Sequence, residues 1–156
     1  MFGRKMFSAT KHERIKVNVD DGVRTLIGSL SDQLREMLLV DDADDLRRLY
    51  PTAYPDDAER QAGFHDMVHD QLLMARLDGI DRVEATLHDD ELSIDDADAW
   101  LSTINQIRLV LGTRLDVSED DDPVIDEDDP RAAAQVIYQV MSHVLEDLTG
   151  ARTELL

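Results

Sequence analysis

The chain has 156 residues, a formal net charge of −19 and no cysteine. Its length predicts one domain, and its 42% hydrophobic residues with only 4% aromatics predict a mostly aliphatic core. Without cysteine, the chain has no disulfide, thiolate metal site or thiol redox switch of its own. No apolar run approaches the roughly 18 residues of a membrane span, so we expect a cytoplasmic protein with no membrane contact.

Positive charge is concentrated at the start of the chain, and the rest is strongly acidic. We expect residues 1–14 to form a basic flexible arm and residues 15–156 a single helical domain. The acidic domain repels phosphate, so direct DNA contact is expected only from basic residues in and next to the arm. These residues are Arg4, Lys5, Lys11, Arg14 and Lys16.

The first regular elements follow this arm. Ile15, Val17 and Val19 alternate with polar residues, which indicates a short strand, and residues 92–94 offer a possible partner strand. Asp20 and Asp21 then provide a helix N-cap. Apolar residues at helical spacing after them predict a helix over residues 22–40.

A connection and a long helix come next. Residues 46–57 read LRRLYPTAYPDD, and the two prolines predict a rigid connection. The helix begins near residue 57 and carries two neighbouring apolar stripes. They are Phe64, Val68, Leu72, Ala75, Gly79 and Val83, and Met67, Met74, Leu77, Ile80 and Leu87. One neighbour cannot cover so wide a face, so the helix is either central in the bundle or shared in a homodimer.

Two further helices complete the predicted fold. Residues 95–112 form one, with Ser93 and Asp95 as candidate caps and Gly112 as its stop. An acidic loop at residues 116–129 follows, and a last helix runs from Pro130 to Gly150. The sequence therefore predicts an all-α protein, a bundle of about four helices with a short extended N-terminal segment.

Catalytic motifs are absent from the sequence: there is no P-loop, dinucleotide fingerprint or serine nucleophile elbow. His65 and His69 have the i, i+4 spacing of helical zinc sites, with Asp66 in place of the usual glutamate. A third ligand would have to come from another element, so a solvated helix surface explains the pair better. We expect a non-enzymatic protein without metal or cofactor, and a metal-dependent hydrolase is the least favoured alternative.

Two arginines stand out near the end of the 95–112 helix. Arg108 interrupts an apolar stretch, and Arg114 follows Gly112. In so acidic a chain we expect each arginine to form an ion pair with a carboxylate. The functional alternative is an exposed arginine pair that recognises an acidic or phosphorylated group.

Residues 100–115, WLSTINQIRLVLGTRL, and the acidic loop after them resemble the signature of the AosR-like family. The RRLYP and AY segments at residues 47–54 and the order of the elements are also similar. This family of high-GC Gram-positive bacteria was formerly described as a domain of unknown function and is named for the oxidative-stress transcriptional regulator AosR. An acid commonly follows the signature asparagine in the family, and Gln106 stands there in this chain.

The resemblance implies a small helical regulator that acts in transcription. Redox sensing through cysteines, attributed to the best-known member, cannot operate in this chain. We therefore expect a regulatory protein that acts through a protein partner, such as the transcription machinery. The alternative is direct DNA binding through the basic N-terminal arm. The surface or its support is expected to include Tyr50, Tyr54, Trp100, Asn105, Arg108 and Arg114. Alternatively, a fold-stabilising corner with no direct binding role is formed by Tyr50, Pro51, Trp100, Arg108 and Arg114.

Overall fold

In a computed structural model of the chain, residues 5–40, 58–115, 128 and 130–156 are described, with the backbone alone over residues 58–67. Within these ranges the chain forms four helices and three short strands. In chain order they are β1 (Phe7–Ala9), β2 (Ile15–Val17), α1 (Asp21–Val40), α2 (Ala58–Ala85), β3 (Glu91–Leu92), α3 (Ile94–Arg114) and α4 (Ala132–Thr153). The helices occupy the positions that the apolar periodicity predicts.

The strands form one antiparallel sheet in the order β1-β2-β3. Ile15 pairs with Leu92, which confirms the predicted strand and its predicted partner. The prediction of about four helices is confirmed, but the protein is not purely all-α, because a small sheet accompanies the helices. The sequence does not predict β1, because a strand of three residues gives little periodic signal and becomes stable only when it pairs and buries one face.

β1 lies inside the segment that the sequence assigned to a flexible basic arm. Phe7 is fully buried, and it pairs with Val17 of β2. The backbone N–H groups of Met6 and Phe7 both donate to Oδ2 of Asp147 on α4, at 2.8 and 2.9 Å. Residues 7–9 are therefore part of the folded domain, because core burial and a carboxylate far along the chain fix a segment whose composition is dominated by charge.

The central helix of the bundle is α3, which packs against each of the other three helices. Ser93 caps its N-terminus as predicted, since its hydroxyl accepts from the backbone N–H of Asp96 at 3.1 Å. The long helix α2 packs on α1 and α3 and is not central, so position alone does not explain its wide apolar face.

Both glycines predicted to stop helices lie inside them. α3 continues past Gly112 to Arg114, and α4 continues past Gly150 to Thr153. In α4 the extra turn has a packing reason, because Ala151 is buried and Arg152 donates to Asp98 of α3 at 2.8 Å. Tertiary contacts of this kind override a local stop signal. None of the helices within the described ranges combines the length and apolar character needed to cross a bilayer.

A buried arginine joins the first and second halves of the fold. Arg24 on α1 is 5% exposed, and its guanidinium donates to the backbone carbonyls of Val19, Leu87 and Asp89 at 2.7–3.0 Å. Leu87 and Asp89 lie in the turn after α2, where helix carbonyls lack partners of their own. Arg24 therefore holds the turn between α2 and β3 against the start of α1.

Candidate partner-binding surfaces on α1, α2 and α3

The residues of the 100–115 signature lie on different faces of α3 and contact different elements of the fold. Trp100 is fully buried, and its Nε1 donates to Oγ1 of Thr86 at 2.8 Å. The ring meets Phe7 of β1 edge to face, with 6.2 Å between centroids. Trp100 thus joins α3 to β1 and to the end of α2, and a partner could not reach it in this fold.

The two signature arginines join α3 to its neighbours. Nε of Arg108 donates to Oγ of Ser142 at 2.9 Å, and the guanidinium carbon lies 5.4 Å from the ring centroid of Tyr138. Within the described ranges, the carboxylate partner expected for Arg108 is not found, because α4 presents a hydroxyl and an aromatic ring to it. Arg114 lies against α1, where its Nη2 is 3.3 Å from Sδ of Met37.

A third face of α3 borders an open groove against α2, which we term the α2–α3 groove. Its volume is about 270 Å³. It is lined by Leu72, Ala75 and Arg76 of α2 and by Ser102, Asn105, Gln106 and Leu109 of α3. Of the signature residues predicted to form a partner surface, Asn105 is the one placed here, and its side chain makes no hydrogen bond to the described part of the chain.

The most unusual group in this groove is the amide of Gln106. Its side chain is 6% exposed, and Nε2 donates to Oγ of Ser102 at 3.0 Å. Oε1 is fully buried and accepts no hydrogen bond from any residue that the structure describes. A buried polar atom without a partner is costly, so such an atom in a native fold calls for a reason.

A second surface lies where α1 ends. Leu39 and Val40 are 61% and 65% exposed, and Met74 of α2 is 68% exposed. Arg35 of α1 binds Asp81 of α2, and Met74 lies two helical turns before Asp81 on the same side of α2. Gly28 of α1 lies against Leu87 and Arg35 against Asp81, so the two helices run antiparallel and Met74 lies toward the Val40 end of α1. We term these three residues the α1-end patch.

Arg35 fixes the position of α1 on α2 beside this patch. Its guanidinium binds both carboxylate oxygens of Glu84 at 2.7 and 2.9 Å, Asp81 at 2.9 Å and Asp32 at 2.7 Å. The hydrogen bond with Glu84 is the largest cause that raises the pKa of Arg35, and that with Asp81 adds to it. Exposed carboxylates also flank the patch, at Glu36 on α1 and Asp78 on α2.

The basic residues predicted to contact DNA are partly neutralised within the fold. Lys5 lies 3.7 Å from a carboxylate oxygen of Glu154, and Arg14 Nε lies 3.1 Å from Glu91. Lys11 and Lys16 are exposed. Arg4 lies outside the described residues.

Several other candidates fall wholly or partly outside the described residues. Tyr50 and Tyr54 lie in the undescribed range 41–57, and His65 is described by its backbone alone. His69 is half-buried on α2. In the part of the chain that the structure describes, no group of three or more metal-binding side chains converges.

The sequence analysis did not identify the groove or the patch as sites. One signal in the sequence could have located the groove. Ser102, Gln106 and Leu109 are spaced i, i+4 and i, i+3, which places them on one face of α3. The sequence does not predict that Leu39 and Val40 are exposed, because they continue the apolar pattern of α1. Packing by neighbouring elements decides whether the side chains at the end of that helix are buried.

Comparison with known proteins gives one match. The family model described as "Domain of unknown function (DUF2017)" matches residues 4–152. Neither a curated protein nor a solved structure matches the chain. The match covers all of the strands and helices described above except the end of α4.

Proposed function

The chain belongs to the DUF2017 family, a domain of unknown function, and we propose that it is a non-enzymatic regulator of the AosR-like kind that binds the transcription machinery. The observation that carries the proposal is the α1-end patch. Three large apolar side chains are each more than 60% exposed there, in a chain with a net charge of −19. Large exposed apolar residues with a polar rim are typical of protein-binding surfaces.

The charge around the patch indicates which kind of surface the partner presents. Glu36 and Asp78 flank its apolar centre, so the complementary surface has an apolar contact bordered by Lys and Arg. A second copy of this chain is a poorer occupant, because two bodies of charge −19 repel each other. DNA is a poorer occupant for the same reason, and two of the basic residues available for it are already paired with carboxylates.

Binding to purified RNA polymerase from a high-GC Gram-positive bacterium tests the proposal. We would compare the unchanged chain with Val40→Asp and Val136→Asp in biolayer interferometry. Both substitutions add one negative charge at an exposed valine, but Val136 is on α4 and outside the patch. A matched pair of this kind separates loss of the apolar contact from a general charge effect.

We expect saturable binding by the unchanged chain and by Val136→Asp, and at least about tenfold weaker binding by Val40→Asp. Binding should also weaken as salt is raised, because the rim contacts are ionic. Equal binding by the two variants would remove the patch from the interface. No binding by the unchanged chain would overturn the transcription partner, and sedimentation equilibrium showing a dimer that Val40→Asp dissociates would assign the patch to a second copy.

A further inference from the structure

The buried amide of Gln106 gives the α2–α3 groove a more specific chemistry than the α1-end patch has. We propose that this groove binds a short extended peptide segment through the segment's backbone amide groups. The inference rests on the proposed function only in that the partner is a protein. It concerns a different surface, formed by α2 and α3 and not by the end of α1.

The amide of Gln106 sets what the ligand must offer. Oε1 is an acceptor without a donor among the described residues, while Nε2 is already bonded to Ser102. Turning the amide over by 180° would exchange the two atoms and leave an orphan donor in the same place. A peptide group carries one N–H and one C=O, so it satisfies the glutamine in either orientation once the side chain turns its buried amide toward the groove. A phosphate or carboxylate offers acceptors alone, so it has no donor for Oε1 even where Arg76 of the groove attracts it.

Asn105 extends the same chemistry along the groove. Its amide carries two donors and two acceptor sites, and none of them is used by the described part of the chain. Asn105 and Gln106 are adjacent in sequence and both line the groove. Two neighbouring side-chain amides can hydrogen-bond to successive peptide groups of an extended strand, as backbone groups do in strand addition.

The dimensions of the groove fit a segment of about three residues. From Ser102 to Leu109 the lining of α3 spans seven residues, or about 10 Å of helix at 1.5 Å each. An extended chain covers this length with about three residues. Leu72 and Leu109 give apolar walls on opposite helices, so the middle residue of the segment is apolar. Arg76 brings one positive charge to the groove itself, while the net charge of −19 on the whole chain favours basic residues where the segment extends beyond the groove.

The test is an NMR titration of the isotope-labelled full chain with blocked synthetic peptides. The probe is acetyl-Lys-Ala-Leu-Ala-Lys-amide, added to about 5 mM because a contact of this size gives a weak Kd. The first control peptide carries an N-methyl group on the leucine nitrogen and so lacks the central donor. The second control is inorganic phosphate, which offers acceptors without donors.

Two protein variants accompany the peptides. Gln106→Met keeps the length of the side chain and removes its amide. Gln33→Met makes the same change at an exposed position of α1, outside the groove. Folding of Gln106→Met is expected, because the substitution removes a buried polar atom that has no partner.

We expect saturable shifts of the side-chain amide signals of Asn105 and Gln106 with the parent peptide. Affinity should fall at least about tenfold with the N-methyl peptide and with Gln106→Met, while Gln33→Met should bind as the unchanged chain does. Phosphate should leave these signals unmoved. Shifts caused equally by phosphate, equal binding by Gln106→Met, or no saturable shift with the peptide would each overturn the proposal.

The two proposals fail in separate experiments. Peptide binding without any binding to polymerase would retain the groove as a peptide site and remove the transcription partner. Polymerase binding that depends on Val40, with no peptide effect at Asn105 or Gln106, would retain the regulator and remove the groove.

Discussion

Over residues 79–85, α2 is a core helix, whereas over residues 68–76 the same helix is a surface element. Ile80 and Val83 are fully buried in the first region, and no side chain is buried in the second. The two apolar stripes run through both regions without a break in the sequence. The difference shows that periodicity predicts which face of a helix is apolar, while neighbouring elements decide how much of that face is covered.

We term residues 79–85 the closed region of α2 and residues 68–76 its open region. Contacts to other elements fix the closed region and the turn that follows it. Arg24 holds the turn that follows α2, and Trp100 bonds to Thr86. Arg35 holds α1 against α2 beside the point where the covering ends. The open region instead borders the α2–α3 groove and the α1-end patch. The contacts that stabilise the fold and the proposed binding surfaces are thus separated along one helix, and substitutions should reveal that separation.

The largest effect is expected from Trp100→Ala at the closed end. Removing a fully buried indole should lower the free energy of unfolding by roughly 3–5 kcal/mol. Urea denaturation followed by far-ultraviolet circular dichroism measures it, because the chain has only one tryptophan to report by fluorescence.

Trp100→Phe is the companion variant, and it stays folded if the alanine variant does not. It keeps an aromatic ring against Phe7 and loses the donor to Thr86, which should cost about 1–3 kcal/mol. A loss below about 1 kcal/mol for Trp100→Ala would show that the closed end does not depend on this residue.

A matched pair within α2 compares the two regions directly. Ile80→Ala should cost roughly 2–5 kcal/mol, since the side chain is fully buried. Leu72→Ala removes a similar amount of side chain from the half-buried wall of the groove and should cost about 1 kcal/mol. Equal losses in thermal or urea unfolding would contradict the division of the helix.

Arg35→Ala should loosen the boundary between the two regions. Its partners Asp32 and Asp81 are largely exposed, so the expected loss is about 1 kcal/mol and should shrink in high salt. Hydrogen exchange should quicken in the last turns of α1 before it changes near Trp100. Uniform quickening along the chain would mean that the last turns of α1 do not open independently.

The smallest expected effect has the opposite sign. Gln106→Met should raise the free energy of unfolding by about 0.5–1 kcal/mol in the absence of a ligand, because an unpaired buried acceptor is removed. Differential scanning calorimetry would detect the higher Tm. A lower Tm would show that the amide contributes to stability, and Gln33→Met serves as the reference for the substitution itself.

Much of the fold could be predicted because its signals are local. The apolar stripe of α1, the Ser93 cap of α3 and the alternation of Ile15 and Val17 are each readable within a few residues. The pairing of Ile15 with Leu92 could be predicted because few other segments of the sequence have a strand pattern. These features follow from propensity and periodicity alone.

The parts that could not be predicted depend on distant residues. β1 is fixed by Asp147, and Arg24 is buried by carbonyls that lie more than 60 residues later. Arg108 finds a serine and a tyrosine on α4 where charge composition favoured a carboxylate. The groove and the patch depend on which faces remain uncovered after packing. No local sequence pattern predicts which helix faces remain uncovered.

The bonds between Asp147 and β1 also bear on how the protein is made. They join residues 141 and 140 positions apart, so the first strand cannot be fixed until nearly all of the domain has been translated. At 5–20 residues/s this is a wait of roughly seven to thirty seconds, during which Phe7 lacks the carboxylate that anchors its strand. We therefore expect the basic arm to remain accessible to chaperones and proteases after it emerges from the ribosome. It becomes protected only when α4 packs against β1.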